Sequence, residues 1–593
     1  MPIYKAPLRD MRFVAFEVFK AEEVWAANPA FVDVDRDLVD AILEESARFN
    51  EEVLFPLNRS GDEEGCRVEG DTVRTPTGFR DAFRQYAEGG WIGLGADVKY
   101  GGQGLPKMVT AMTDEILFGC NPSFALYPLL GIGAALAMSQ HADESLNETY
   151  LPKIYSGEWS GTMCLTEPHA GTDLGIIRTR AEPQADNSYL LTGTKIFITG
   201  GEHDLADNII HLVLAKLPGA PAGSKGISLF LVPKFLVNDD GSLGERNAVH
   251  VGSIEHKMGI KASATCVMNF DGARGWLVGE PNEGLAAMFV MMNYERLSMG
   301  LQGLGASEVA YQNAAAYARD RLQGRSATGA ACPDKAADPL LVHPDIRRML
   351  LTVRAHNEAA RCFAMYVSQA LDASKYGVSE ADRKKGSDLV ALLTPVAKAF
   401  LSDRGFDACV MAQQVFGGHG YIREWGMEQL VRDTRIAQIY EGTNGVQAMD
   451  LAGRKVVRNQ GAYVRLYVED VRSLVATMQQ NPELNDFSQA LVGALIRLEE
   501  ATDMLLKQAA SDAHATNAAA VDYLHLFGLV SYAHMWAMMA QVAVSKRSTD
   551  VFYQHKLELG RYFMQRMLPE IDARLAAIKT GPASLMQFPV EYF

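Results

Sequence analysis

The sequence predicts a mainly α-helical protein with a central antiparallel β domain and a C-terminal helical extension. Three changes of texture carry this prediction. Residues 36–160 place apolar side chains at helical spacing, as in Leu38, Val39, Ile42, Leu43 and Ala47. A turn cluster, Tyr100-Gly101-Gly102-Gln103-Gly104-Leu105-Pro106, leads into another helix. From about Gly161 to residue 281 the chain breaks into short β-rich runs at 189–193, 195–199, 209–215 and 227–232, separated by Gly, Asn and Pro. These runs lack intervening helices, which favours an antiparallel barrel or sandwich over a parallel nucleotide-binding sheet. Helical spacing returns at Asn282, with Leu285, Met288, Phe289 and Met292, and continues to about Asn459 with one break at 328–340. A further helical block, with helices near 463–480, 488–508 and 521–543, fills 460–593. Its Met and Trp residues read as core, and it holds no catalytic constellation. The expected division is therefore an extension (1–35), a helical domain (36–160), a β domain (161–281), a second helical domain (282–459) and an additional helical domain (460–593).

Bulk properties narrow the function. Of 593 residues, 48% are apolar and 22% charged, as in a soluble globular enzyme. A net charge of −16 argues against a general nucleic-acid-binding role. The seven cysteines are scattered with no CxxC pair, which favours reduced thiols in a cytoplasmic compartment and argues against a zinc site. The N-terminus has no apolar core of a signal peptide, so none is expected. Residues 116–140 carry no charge but contain Asn121-Pro122, Pro128 and several glycines, and read as two buried helices rather than a membrane span. No GxGxxG opens a βαβ unit and no phosphate-binding GxxxxGK[ST] is present.

Glu441 is the most informative residue. It lies in Ile439-Tyr440-Glu441-Gly442-Thr443-Asn444, about twenty residues after a glycine loop at 417–420. A helix-capping role is the simpler reading of a lone Glu. Its neighbours are apolar, however, so its carboxylate is expected in a partly apolar cleft, where desolvation raises the pKa and makes a usable base near neutral pH.

The order of domains, with three separate motifs, resembles the acyl-CoA dehydrogenase family of flavoproteins over roughly residues 36–456. The motifs are Met163-Cys164-Leu165-Thr166-Glu167-Pro168, then Lys195-Ile196-Phe197-Ile198-Thr199-Gly200, and the pair formed by Gln414 to Gly418 with Tyr440-Glu441-Gly442-Thr443. The opening Tyr4-Lys5-Ala6-Pro7-Leu8-Arg9-Asp10 and the added C-terminal helices resemble a longer bacterial subgroup of that family, whose members include enzymes acting on 3-methylmercaptopropionyl-CoA.

The resemblance implies FAD as cofactor. Met163, Leu165 and Thr166 would line the flavin. Phe197, standing where a Trp is common, would keep an aromatic face beside it, and Thr199 would reach its reactive edge. Arg321 and Gln323 match a segment that reaches the FAD pyrophosphate and adenine from a neighbouring subunit, although Gly324-Arg325 replaces the usual Phe-Gly. Gln414, Gly418, Thr443 and Asn444 match further FAD contacts. Thr172, Asn293, Arg296, Tyr440 and Gly442 match positions along the acyl-CoA cleft. A cofactor shared between chains implies a homodimer.

The implied reaction is α,β-dehydrogenation of an acyl-CoA thioester to the trans-2-enoyl-CoA. Glu441 takes the α-proton and flavin N5 the β-hydride, with electron-transferring flavoprotein as acceptor. Glu295 occupies the place where some members carry their base, but the intact Tyr440-Glu441-Gly442-Thr443 favours Glu441. The candidate substrate is 3-methylmercaptopropionyl-CoA. Medium- or long-chain fatty acyl-CoAs, or an oxidase reaction using oxygen, are the alternatives.

Overall fold

The computed structural model describes residues 2–593. It resolves into two compact units, each discontinuous in sequence. One, the β-containing unit, holds 46–106 and 120–295; the other, the helical unit, holds the residues up to 45, 107–119 and 296–593.

In the β-containing unit, the uncharged stretch contributes α1 (Pro122–His141); its first residues instead end a separate helix, Lys107–Cys120, which lies in the helical unit up to Gly119. Asn121 starts α1 because its side chain accepts a hydrogen bond from the Phe124 N–H at 3.0 Å, satisfying a donor the first helical turn leaves over. Helix α2 (Glu144–Tyr155) follows. Seven strands make the main sheet: β1 (Trp159–Cys164), β2 (Arg180–Pro183), β3 (Tyr189–Thr199), β4 (Asn208–Lys216), β5 (Ile227–Pro233), β6 (Val249–Ile254) and β7 (Thr265–Val278). They run in the order β6-β7-β3-β2-β4-β1, and β5 pairs with both β7 and β4, so that β7, β3, β2, β4 and β5 close a ring. Most pairings are antiparallel as expected. β1 lies parallel to β4 along its length, and β2 meets β4 in parallel at Arg180 and Lys216. The chain passes through β2 and β3 before β4 reaches β1, so no hairpin fixes an antiparallel register there.

The runs 189–193 and 195–199 form one strand, β3, rather than two. Gly193 does not turn the chain. A Cβ there would lie 2.3 Å from Thr179 Oγ1, so the glycine instead makes room for that side chain. Alternation along β4 feeds two cores. Ile210, Leu212 and Leu214 pack with Ala134, Met138, Leu151 and Ile154 of the helices, while Val213 and Ala215 pack with Leu191, Phe230 and Phe270.

Helix α3 (Gly284–Asp320) is continuous across the division between units, which falls after Glu295. The helical unit then contains α4 (Pro344–Tyr376), α5 (Glu380–Val415), α6 (Asn444–Met449), α7 (Ala462–Met478), α8 (Asn485–Ala509), α9 (Ala515–Lys546), α10 (Val551–Arg566) and α11 (Glu570–Lys579). The centre of the additional block is α9, whose Tyr523, Phe527, Met535, Trp536 and Met539 are buried as core. It presses on α5 at Gly528, where a Cβ would stand 2.3 Å from the Phe400 ring. The Tyr532 hydroxyl and His356 Nδ1 of α4 are hydrogen-bonded at 2.9 Å. Both α1 and α9 are long and apolar enough to cross a membrane, yet 83% and 78% of their apolar windows are buried inside the protein. All seven cysteines are free thiols.

Candidate active site

On the β-containing unit, the site segments are anchored by Glu167. This buried carboxylate accepts from the Arg178 N–H at 2.7 Å, the Thr179 N–H at 3.0 Å, the Thr179 hydroxyl at 2.6 Å and the Lys195 ammonium at 2.9 Å. Burial works to raise its pKa, but Lys195, Thr179 and the two N–H donors outweigh it and hold the carboxyl below its usual range. Lys195 also donates to the Leu165 carbonyl at 3.0 Å, and the Ile196 N–H donates to the Thr166 carbonyl at 2.9 Å. The loop after β1 is thereby tied to β3, bringing Leu165 and Thr166 beside the strand that bears Phe197 and Thr199.

Phe197 sits in a bulge. Its strand advances from Lys195 to Ile198 while β7 advances only from Met268 to Cys266. Its φ of 59° is left-handed, a conformation a bulky side chain rarely adopts, and its ring is 59% exposed. Met163, Thr166 and Thr199 are half-buried, Leu165 is buried and Thr172 exposed. Asn293 is half-buried on α3, and Glu295 is buried there with its carboxylate against Gly133 of α1. A cavity of about 550 Å³ on this unit is lined by groups such as Arg80, Arg84, Glu158 and Asp207, and no predicted site residue borders it.

On the helical unit, Glu441 is half-buried in the turn before α6, with a left-handed φ of 56°. Burial pushes its carboxyl up to about 7, against the opposing pull of Lys398 and Arg296. Tyr440 is fixed by its hydroxyl, which donates to Gln302 Oε1 at 2.5 Å. Gln447 holds the carbonyls of Glu441 and Gly442 at 3.2 and 3.4 Å. Arg296, buried on α3, lies 4.0 Å from Asp450. Thr443 uses its hydroxyl to cap α6, accepting from the Val446 N–H at 3.3 Å. The Asn444 side chain faces inward, its amide oxygen accepting from Lys398 at 2.8 Å and its amide nitrogen donating to Asp403 at 2.6 Å. Gln414 and Gly418 are exposed at the end of α5, and Arg321 and Gln323 are exposed after α3. The segment behind them is pinned by buried Asp338, which accepts from the N–H groups of Ser326, Ala331 and Cys332.

Lys398 was not among the residues singled out from sequence. It is fully buried and donates to the Gly442 carbonyl at 2.9 Å. Its signal was legible, a lone charge within the apolar run from Leu392 to Leu401. Asp403 and His525, 3.1 Å apart, carried no such signal.

Hydrogen bonds thus tie Leu165 and Thr166 to the strand of Phe197 and Thr199 on one unit, and order the Tyr440–Asn444 turn on the other, and the comparisons with known proteins bear on what these segments are for. Successive segments match four family models: acyl-CoA dehydrogenase N-terminal domain (residues 39–158), middle domain (162–273), C-terminal domain (282–456) and an acetyl-CoA dehydrogenase C-terminal-like domain (467–589). The chain belongs to the acyl-CoA dehydrogenase family. It is 40% identical to 3-methylmercaptopropionyl-CoA dehydrogenase of Ruegeria pomeroyi, across 98% of this chain and 99% of that one. It is 33% identical to a butyryl-CoA dehydrogenase of Syntrophomonas wolfei, across 100% and 99%. The crystal structure of Caenorhabditis elegans ACDH-11 in complex with C11-CoA superposes with a TM-score of 0.78, covering 96% of this chain and 92% of that one at 19% identity, a likeness of fold.

Acyl-CoA dehydrogenases bind FAD and carry out FAD-dependent dehydrogenation of acyl-CoA thioesters. The residues present fit such a cofactor. A planar ring system with polar edges calls for an exposed aromatic face beside hydroxyl and main-chain groups, and the Phe197 bulge next to Thr166 offers that combination.

Proposed function

We propose that Glu441 is the base of this acyl-CoA dehydrogenase and that its substrate is a short thioether acyl-CoA of the 3-methylmercaptopropionyl type. The observation that carries the base assignment is the raised proton affinity of a half-buried carboxylate, held on left-handed backbone in an intact Tyr-Glu-Gly-Thr turn. The substrate class rests on 40% identity over nearly the whole length of the Ruegeria enzyme.

In this reading Tyr440 and Gly442 flank the thioester, and the Glu441 N–H is one donor to its carbonyl oxygen, where charge develops as the α-proton leaves. The Glu441 carboxylate receives that proton. Arg296, Asn293 and Thr172 border the CoA arm. Bound FAD supplies the acceptor for the β-hydride. Met163, Leu165, Thr166, Phe197 and Thr199 border its ring, and Gln414, Gly418 and Thr443 its remaining contacts. Because the Asn444 amide is engaged inside the protein, that residue would contribute its main chain. Arg321 and Gln323, exposed on the single chain, would reach the pyrophosphate and adenine of a second copy, which makes the enzyme a homodimer. Electron-transferring flavoprotein is the proposed acceptor and the cytoplasm the proposed compartment.

Anaerobic titration with a panel of acyl-CoAs, followed by flavin bleaching, tests the substrate class. Glu441→Gln is expected to abolish turnover while FAD stays bound. Near-normal turnover would move the base to Glu295. Light scattering is expected to give the mass of a dimer.

A further inference from the structure

The turn that carries Glu441 is held from behind by a line of buried polar groups ending on the C-terminal block. Lys398, on α5 among Leu393, Val396, Phe400 and Leu401, donates to the Gly442 carbonyl and to Asn444 Oδ1 at 2.9 and 2.8 Å. Asn444 Nδ2 donates to Asp403 Oδ1 at 2.6 Å and to Ser402 Oγ at 3.0 Å. These partners fix the amide's orientation, because an ammonium requires the oxygen and a carboxylate requires the nitrogen. Asp403 Oδ2 lies 3.1 Å from His525 Nε2 on α9, and Gln438 donates to the other oxygen at 2.7 Å.

A fully buried ammonium is expensive where an apolar side chain would pack as well, and burial pushes Lys398 down to about 7 against the opposing pull of Glu441 and Asp403. Both acceptors of Lys398 belong to the Glu441 turn, and both are neutral. The charged groups facing it are Glu441, Asp403 and, with like sign, Arg296. Those facing Glu441 are Lys398 and Arg296, and Asp450 faces Arg296. We propose that Lys398 is a positioning residue for Glu441. Its ammonium pins the carbonyl that follows the base and favours the carboxylate form, while Asp403 and His525 hold this arrangement from the C-terminal block. The inference rests on Glu441 being the base. It gives the helices after residue 460 a part in the reaction through Asp403.

The test follows the Glu441 carboxyl directly, by infrared titration of the FAD-loaded enzyme, with its band assigned through loss in Glu441→Gln. In Lys398→Met the titration midpoint and the acid limb of kcat/KM are both expected to move up by about one pH unit, which is a ~10-fold loss of activity below the limb. Lys398→Arg keeps the charge and is expected to keep the midpoint. Asp403→Asn, which removes a charge favouring the ammonium, is expected to move the midpoint the same way by less. Should Lys398→Met fail to fold, Asp403→Asn carries the test. An unmoved midpoint and limb in a folded variant, with Glu441→Gln inactive, overturns the inference alone. A uniform fall in kcat at every pH, which lost packing would give, does the same. Turnover by Glu441→Gln overturns the base assignment and the inference with it.

Discussion

Phe197 and Glu441 both occupy backbone that glycine prefers, at φ 59° and 56°. Such conformations store about 1–3 kcal/mol each and persist where surrounding structure over-determines them. For Phe197 the determinants are the extra residue in β3 opposite β7 and the Lys195 anchor beneath it. Its ring is mostly exposed and contributes little burial to the chain alone. Phe197→Gly is therefore expected to leave apoprotein stability unchanged or slightly raised in a urea titration, while weakening FAD roughly 2–10-fold through loss of about 0.5–1.5 kcal/mol of ring contact. Equal flavin affinity in the variant would remove Phe197 from the cofactor site. As the proposed base, Glu441 would have to be ionised, and burial lifts its carboxyl to about 7. kcat/KM is thus expected to rise with pH through neutrality and level off above it. An acid limb near the ordinary carboxylate range would mean that the Glu441 carboxyl is solvated. Glu441 was legible in the sequence because an isolated carboxylate among Ile439, Tyr440 and Gly442 is conspicuous. The left-handed Phe197 was not, because Ile-Phe-Ile-Thr reads as ordinary strand and the bulge arises from register with a strand some seventy residues later.

At the scale of elements, one glycine supports the motif segments of the β-containing unit. Gly193 lets Thr179 lie against β3, Thr179 holds Glu167, and Glu167 with Lys195 ties the loop after β1 to the strand bearing Phe197. The sequence reading took Gly193 for a break between two strands. Glycine punctuates turns and also marks close approach, and only the tertiary partner distinguishes these uses. The parallel entry of β1 beside β4 was hidden for a similar reason, since runs without helices suggest hairpins throughout. The long helices were legible because their 3.6-residue period is local. Glu167→Gln would leave Lys195 buried without its counter-charge, and burial already pushes that ammonium down. A loss of about 3–5 kcal/mol is expected. It should appear as a lower urea midpoint and as faster FAD release than in Gly193→Ala, which displaces Thr179 but keeps the ion pair. If Glu167→Gln unfolds at the wild-type midpoint and keeps FAD, the anchor is not what orders the loop.

The two segments that lengthen the molecule meet inside the helical unit. Asp10, near the start of the chain, pairs with Lys556 of α10 and lies 3.7 Å from Arg361 of α4. Arg361 is fully buried and forks onto Glu115, at 2.6 Å from its guanidinium to the carboxylate, and onto Glu308 at 3.1 Å; Lys556 also donates to Glu358 at 2.6 Å. Nothing local in the sequence joins residues 10 and 556, so the extension and the added helices read as separate appendages. Burial works to raise the Asp10 carboxyl, but Lys556 and Arg361 outweigh it and hold the group below its usual range. Its contribution to stability is therefore present above the ordinary Asp pKa and is lost as pH falls through the lower folded value. At neutral pH Asp10→Asn leaves Lys556, 2% exposed, with one carboxylate fewer, and is expected to lower unfolding stability by roughly 2–4 kcal/mol in a urea titration. Arg9, its neighbour, pairs with Asp550 at the surface, where the two side chains are 59% and 41% exposed. Arg9→Ala is expected to change stability by less than about 1 kcal/mol. The contrast isolates burial, because both pairs join the same two stretches of chain. Equal losses in the two variants would mean that the extension is held by its apolar contacts, such as Met11 and Phe13, and that the buried charges set register rather than stability.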